Sequence, residues 1–367
     1  MRRLLLILFV SLMSVAAGAQ IFPKWNLDSI PKDDKTYWKK ALLKGKLNFK
    51  DTAVVYPKFM KFCVNVYNWA DRTFNTYDTA YVQGTGKKFK VLIKNENWLD
   101  SYAMRFSNGT YMTMASIPAS TIGAYLSFSG LSAGYSYSIG KIFNYKEGAC
   151  QNLRFQFNCA LLAAEWYYSH NDGGTKIRNF TQEGVEFRNI DLPGLTLNSY
   201  GIDVYYFLNN KKYSQGAAYN FSKIQKKSAG SFIFGASISH QSVEIDLTKV
   251  PPEIAKYLPE GATEYNYHYN DYCLIVGYGY NWVFHKNWLF NISAMPSFGI
   301  KHCNETSLEG ACNLFSMNVN GKLSITRNLN HVFYGLQGRI SGHWYKSEAQ
   351  SFFNSIAFLT LNFGFRF

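Results

Sequence analysis

The chain has 367 residues, a formal charge of +14, and 17% aromatic against 17% charged residues, with 27 Tyr and 29 Phe. A soluble domain averages about 25% charged residues, so this composition points away from an ordinary soluble protein. The basic balance suits an anionic partner such as lipopolysaccharide or a small anion; the export signal described next makes nucleic acid an unexpected one.

Arg2 and Arg3 precede the apolar run 4–10, and Ala17-Gly18-Ala19 stands before Gln20. This is the pattern of a secretory signal peptide over residues 1–19, whose loss takes two arginines and lowers the charge from +14 to +12. No later stretch offers the roughly 18 apolar residues of a membrane helix, so a membrane-bound mature chain would cross as strands.

Residues 20–98 read as a small, partly helical amino-terminal region, periplasmic or plugging. Asp33 and Asp34 lead into Tyr37, Trp38, Ala41 and Leu42, with Gly45 as the stop, and a second helical face runs Phe59, Phe62, Cys63, Val66 and Ala70 after Pro57. "GTGKK" at 84–88 lacks the spacing of a phosphate loop and reads as a turn.

From residue 99 to 367 the period is two. Runs at 101–107, 121–128, 131–139, 153–168, 197–208, 213–222, 229–241, 270–284, 288–300, 313–325, 332–345 and 353–367 predict twelve strands. Many reach ten residues, whereas soluble strands average about five or six and a tilted membrane strand needs about 9 to 11. Their polar faces carry Asn, Ser, Gly, Gln and scattered Arg in place of Lys and Glu, and aromatic residues gather near strand ends, as at Trp166-Tyr167-Tyr168 and Trp344-Tyr345. The reading is all-β: a transmembrane antiparallel up-and-down barrel of about twelve strands in the outer membrane, with lipid and lipopolysaccharide around it. A large soluble sandwich is the alternative.

With both ends of the barrel on the periplasmic side, connections at 129–130, 223–228, 285–287 and 327–331 are short, and those at 108–120, 141–152, 242–269 and 301–312 fall outside. Residues 169–196 break the rule as a long loop on the periplasmic side.

Placing the apolar faces toward lipid turns Arg105, Arg154, Asn158, Asn318, Lys322, Gln337, Arg339, Asn362 and Arg366 into the lumen, with Asp203 as the one comparable acid. A basic lumen favours anions, which predicts a channel or binding barrel for a polar, anionic solute. The alternative is a structural or interaction protein whose lumen is plugged by the 20–98 segment and which docks an envelope partner. A barrel-embedded hydrolase is a third class. Its densest grouping, His240, Ser242 and Glu244, matches no nucleophile motif, and no enzyme activity, metal site or cofactor is expected. Cys303 and Cys312 are close enough in sequence to pair in an oxidising compartment, unpaired thiols being the plainer reading.

"DRTFNTYDTAYVQGTGKKFKV", "IPASTIGAYLSFSG", "KIQKKSAGSFIFGASI", "VGYGYNW" and the closing "FGFRF" resemble a Bacteroidetes family catalogued as a domain of unknown function, number four-four-two-one. The resemblance implies an outer-membrane barrel and no activity. The alternation of Phe363, Phe365 and Phe367 also resembles the carboxy-terminal signal read by the outer-membrane assembly machinery.

Overall fold

The computed structural model describes residues 27–367 except 45, 88, 129–130, 141–149, 173, 183, 193, 258–263, 307–311 and 348–349. The expected signal peptide and the 129–130 turn lie outside the described residues. The chain divides into two compact units, Met1–Asn75 and Thr76–Phe367. The division falls earlier than the expected 98/99 boundary because strand β2 is continuous over Phe89–Phe106. Before it stands β1, Val82–Gly84.

In the first unit, helices α1 (Tyr37–Leu43) and α2 (Lys58–Phe74) form where the sequence pattern places them. Leu27, Ala41, Leu47 and Val54 make a small core against Trp38 and Tyr56. Lys32–Asp51 at 2.6 Å and Lys50–Asp71 at 2.7 Å tie the intervening loops on the surface. The face of α2 bearing Phe59, Phe62, Val66 and Trp69 is exposed. Among the described residues no helix is long and apolar enough to cross a membrane.

The second unit is an antiparallel sheet curled into a half-barrel. In hydrogen-bonded order it runs β5 (Leu131–Ser138), β4 (Ala119–Phe128), β2, β18 (Gln350–Arg366), β17 (Val332–Lys346), β16 (Cys312–Asn328) and β15 (Trp288–Thr306). It continues through β14 (Glu264–His285), β13 (Ala229–Asp246), β11 (Leu195–Phe207), β7 (Leu162–Asn171) and β6 (Cys150–Asn158). Among the described residues no ladder joins β5 to β6. The flanks are linked instead by Asn171 Nδ2 donating to Asp100 Oδ2 at 2.9 Å and by Ile117 N donating to Gly174 O at 3.1 Å.

Among the described residues there are eighteen strands in place of the expected twelve, twelve of them in the curled order above and six short. Short strands β3 (Tyr111–Ala115), β8 (Thr175–Gln182), β9 (Val185–Phe187) and β10 (Ile190–Leu192) extend the far half of β2, and β1 pairs with β12 (Lys223–Gln225). Two expected strands are corrected. The run 153–168 is interrupted by a turn at 159–161 and gives β6 and β7. The run 213–222 holds helix α3 (Gln215–Tyr219), because Ser214 caps it, accepting from Ala217 N, and Gly216, Ala217 and Ala218 are small enough to bury.

These two changes cancel before residue 159 and reverse only the connections that lie between them, 169–196 and 209–212. The end of the sheet that carries Phe367 holds the connections 159–161, 208–228, 286–287 and 329–331. The 172–194 segment leaves from the opposite end, together with helix α4 (Pro252–Ala255) and the connection that carries it, so the anomaly of a long loop on the wrong side disappears.

Along each long strand the burial alternates, and it is the apolar residues that are exposed. Ile202, Val204 and Tyr206 on β11, Tyr272, Leu274, Val276 and Tyr278 on β14, and Leu359, Leu361, Phe363, Phe365 and Phe367 at the carboxy terminus all face outward, Leu274 at 70% exposure. The polar partners of the same strands, such as Asp203, Asp271, Thr360 and Asn362, are buried. A soluble sheet has the opposite sense.

Candidate functional site

Nine of the residues assigned to the interior by alternation lie on the inward face: Arg154, Asn158, Asp203, Asn318, Lys322, Gln337, Arg339, Asn362 and Arg366. Arg105 does not. On β2 the inward positions are Trp98, Asp100, Tyr102 and Met104, so Arg105 is exposed on the outer face. The assumption that apolar residues point outward fails there because the far end of the interior is itself apolar. Tyr102, Met104, Met112, Met114, Ile177, Phe180, Leu192, Val243, Ile254, Tyr267, Tyr345 and Phe352 form one buried cluster that caps it. Tyr267 and Tyr345 stack at 4.7 Å within this cap.

Below the cap lies a layer of charge. Glu165 on β7 accepts from Arg154 Nη1 at 3.2 Å and from Lys322 Nζ, so one carboxylate holds cations from β6 and β16. Alternation carried unbroken through 153–168 would put Glu165 outside with Phe155 and Phe157; the turn at 159–161 resets the phase and turns it in. Asp203 accepts from Ser237 Oγ at 2.6 Å and Tyr205 Oη at 3.0 Å. Asp271 accepts from Ser316 Oγ and Asn318 Nδ2, each at 2.8 Å, with Lys301 Nζ at 3.7 Å. Lys301 in turn rests 3.6 Å from the centroid of Tyr269, under the cap. Asp203 is therefore not the one acid of the interior; Glu165, Asp271 and Asp100 join it, and the strongly basic lumen is corrected to a nearly compensated one. Arg339 forms no ion pair among the described residues; its guanidinium lies 4.1 Å over Phe358 with Nε and Nη2 unbonded.

The other end is closed by the chain between β11 and β13. Ser214 O and Gln225 Oε1 accept from Asn281 Nδ2 at 3.0 and 2.9 Å, and Ala218 O and Tyr219 O accept from Gln337 Nε2 at 3.3 and 2.9 Å. Tyr219 Oη donates to Asn291 Oδ1 at 2.6 Å, Lys90 Nζ to Asn220 O at 2.7 Å, and Asn328 Nδ2 to Lys223 O at 2.6 Å. Arg366 Nη2 donates to Asn328 Oδ1 at 2.6 Å, and Phe221, held at φ 53°, stacks on Phe333. Ser214 Oγ also meets Tyr77 Oη at 3.4 Å; burial pushes the Tyr77 hydroxyl up to about 12 and keeps it neutral. Inward Asn and Gln residues such as Asn281, Asn328 and Gln337 thus satisfy the backbone of an in-folded segment. Between plug and cap remains a narrow cavity lined in part by Arg154, Glu165, Lys322, Arg339 and His343.

Cys303 is a free, buried thiol with Sγ 2.9 Å from Tyr267 Oη, so the suggested disulfide to Cys312 is not formed; the sulfur is turned into the aromatic cap. The His240, Ser242 and Glu244 grouping does not assemble as a relay. Ser242 Oγ donates to Glu244 at 2.9 Å, while His240 Nδ1 pairs with Asn270 Oδ1 at 2.8 Å.

A family model described as a domain of unknown function, DUF4421, matches residues 76–367. The chain belongs to that family. No curated protein matches the sequence. Among solved structures, the outer membrane protease OmpT from Escherichia coli shares 8% identity, covering 77% of this chain and 98% of its own, at a TM-score of 0.38. The outer membrane protein OprG from Pseudomonas aeruginosa shares 8% over 79% and 99% of the two chains at 0.27, and the translocator domain of the autotransporter NalP from Neisseria meningitidis 6% over 90% and 99% at 0.26. At such scores the fold stands on its own register and burial.

Proposed function

We propose, for this member of a family of unknown function, an outer-membrane β-barrel with twelve spanning strands whose lumen is sealed by its own chain, serving as a structural or interaction component of the envelope. The observation that carries the membrane half of this reading is the continuous outward band of exposed apolar residues on strands long enough to span. The observation that carries the sealed half is the 213–225 segment, whose backbone is bonded to inward side chains of β2, β14, β16 and β17. Phe363, Phe365 and Phe367 would serve as the assembly signal, and lipid and lipopolysaccharide as the immediate surroundings. The exposed stripe Phe59, Phe62, Val66 and Trp69 of α2 supplies a surface for an envelope partner.

A second reading, binding of a small anionic solute inside the barrel, is favoured by one observation: the unbonded Nε and Nη2 of Arg339 beside the cavity.

Planar-bilayer conductance separates the two. The refolded wild type is expected to be silent, and the Asn281→Ala, Asn291→Ala variant is expected to stay silent too, because freeing the plug leaves the apolar cap closing the other end. Anion-selective steps from the wild type, lost in Arg339→Glu, overturn the sealed reading in favour of the solute pathway.

A further inference from the structure

The outward face changes character along one registered line. On β11, β13, β14, β15 and β16 the cross-strand neighbours Ile202, Ile238, Tyr272, Ile300 and Phe315 are all exposed and apolar. One position further from the Phe367 end the neighbours are Tyr200, His240, Asn270, His302 and Asn313. His240 Nδ1 and His302 Nδ1 each lie 2.8 Å from an Asn Oδ1, which accepts, so Nδ1 bears the proton and the donor each pair offers outward is the Asn Nδ2. The same border recurs on the other flank. Trp344, Phe353 and Ala103 are registered on β17, β18 and β2, and beyond them stand Lys346, Ser351 and Arg105.

Lys346 and Arg105 are exposed, and among the described residues neither pairs with a carboxylate. Their backbones are two antiparallel spacings apart, roughly 10 Å, with the Ser351 hydroxyl between them, itself accepting from Trp344 Nε1 at 3.2 Å. Two long cations, a hydroxyl and an indole at the edge of an apolar band are arranged for a phosphate held at headgroup depth, where the band ends.

We propose that Arg105, Ser351 and Lys346, continued round the sheet by the His240–Asn270 and His302–Asn313 pairs, form a binding belt for the phosphate of an anionic lipid headgroup in the leaflet away from Phe367. This rests on the membrane reading above. Continuity with the apolar band selects the lipid over a free ion, since a free phosphate needs no such border.

The test uses the refolded full chain in nanodiscs of phosphatidylcholine with and without phosphatidylglycerol, reading by mass spectrometry which lipid stays bound on transfer to detergent. The wild type is expected to retain phosphatidylglycerol preferentially. Arg105→Gln with Lys346→Gln should lower that preference on the order of thirtyfold at low salt, at about 1 kcal/mol per cation. Asn270→Ala with Asn313→Ala, which removes the amide donors, should lower it less and serves should the first variant not fold. Equal preference in wild type and both variants overturns the belt. Inorganic phosphate binding in detergent as tightly as phosphatidylglycerol overturns the lipid assignment in favour of a free-ion site. A wild type that fails to insert into phosphatidylcholine nanodiscs overturns the membrane reading itself, a result distinguishable from loss of preference alone.

Discussion

Glu165 is the residue on which the interior charge depends most. It is 2% exposed and holds both Arg154, which is 19% exposed, and Lys322, which is buried. Removing one member of a buried pair leaves the other charges uncompensated, so Glu165→Gln should cost about 3–5 kcal/mol in chemical unfolding followed in detergent. Arg105→Gln, on the outer surface, should stay within about 0.5 kcal/mol in the same assay. The contrast checks the corrected placement of Arg105: a lumenal arginine would behave like Glu165. Many sheet glycines leave no room for a Cβ, and Gly299 is the tightest. A Cβ there would come 1.9 Å from Tyr272 O and 2.7 Å from Cys273 Cα, both backbone atoms that cannot swing away. Gly299→Ala should lower the unfolding free energy by about 1–3 kcal/mol.

At the scale of elements, the decisive one is α3 with the chain on either side of it. Five residues make too short a helix to stand alone. It persists because Ser214 caps it and because Asn281, Asn291 and Gln337 reach its carbonyls and its Tyr219 from three strands. Asn281→Ala leaves the buried Ser214 O and Gln225 Oε1 short of a donor, at about 1–3 kcal/mol. That loss should appear as protease cleavage within 213–225 in the variant, with the wild type resistant there. Alternation alone read this stretch as a strand, since Tyr213, Gln215, Ala217 and Tyr219 also satisfy period two. The capping serine was the local signal available, and it was outweighed by the surrounding strands.

For the whole molecule, the helix that replaces the 213–222 strand and the turn at 159–161 together fix which loops share an end. An epitope inserted at Arg188-Asn189, between β9 and β10, should be labelled on intact cells. One inserted at Ala160-Leu161 should be labelled only after permeabilisation. The reverse pattern would restore the end read for 169–196 when 213–222 is counted as a strand, and remove the ordering of loops argued above. The exposed apolar band makes the same case in energetic terms. At about 25 cal/mol per Å², leaving rings and aliphatic chains on nearly every outward position in water is untenable, and a hydrocarbon surround removes the cost.

Period two and residue type sufficed, by themselves, for the long strands, the outward sense of Leu359, Leu361 and Phe363, and the inward sense of Asn318, Lys322 and Asn362, because a strand's two faces are a local property of the backbone. They did not suffice for Glu165, whose face depends on where a three-residue turn interrupts the count, nor for Arg105, whose strand borders an interior that is apolar only at that end. The closure of the lumen was beyond them altogether. It joins Gln337 to Ala218 across 119 residues and Lys322 to Glu165 across 157, and contacts of that separation are set by how the sheet curls and not by any pattern along the chain.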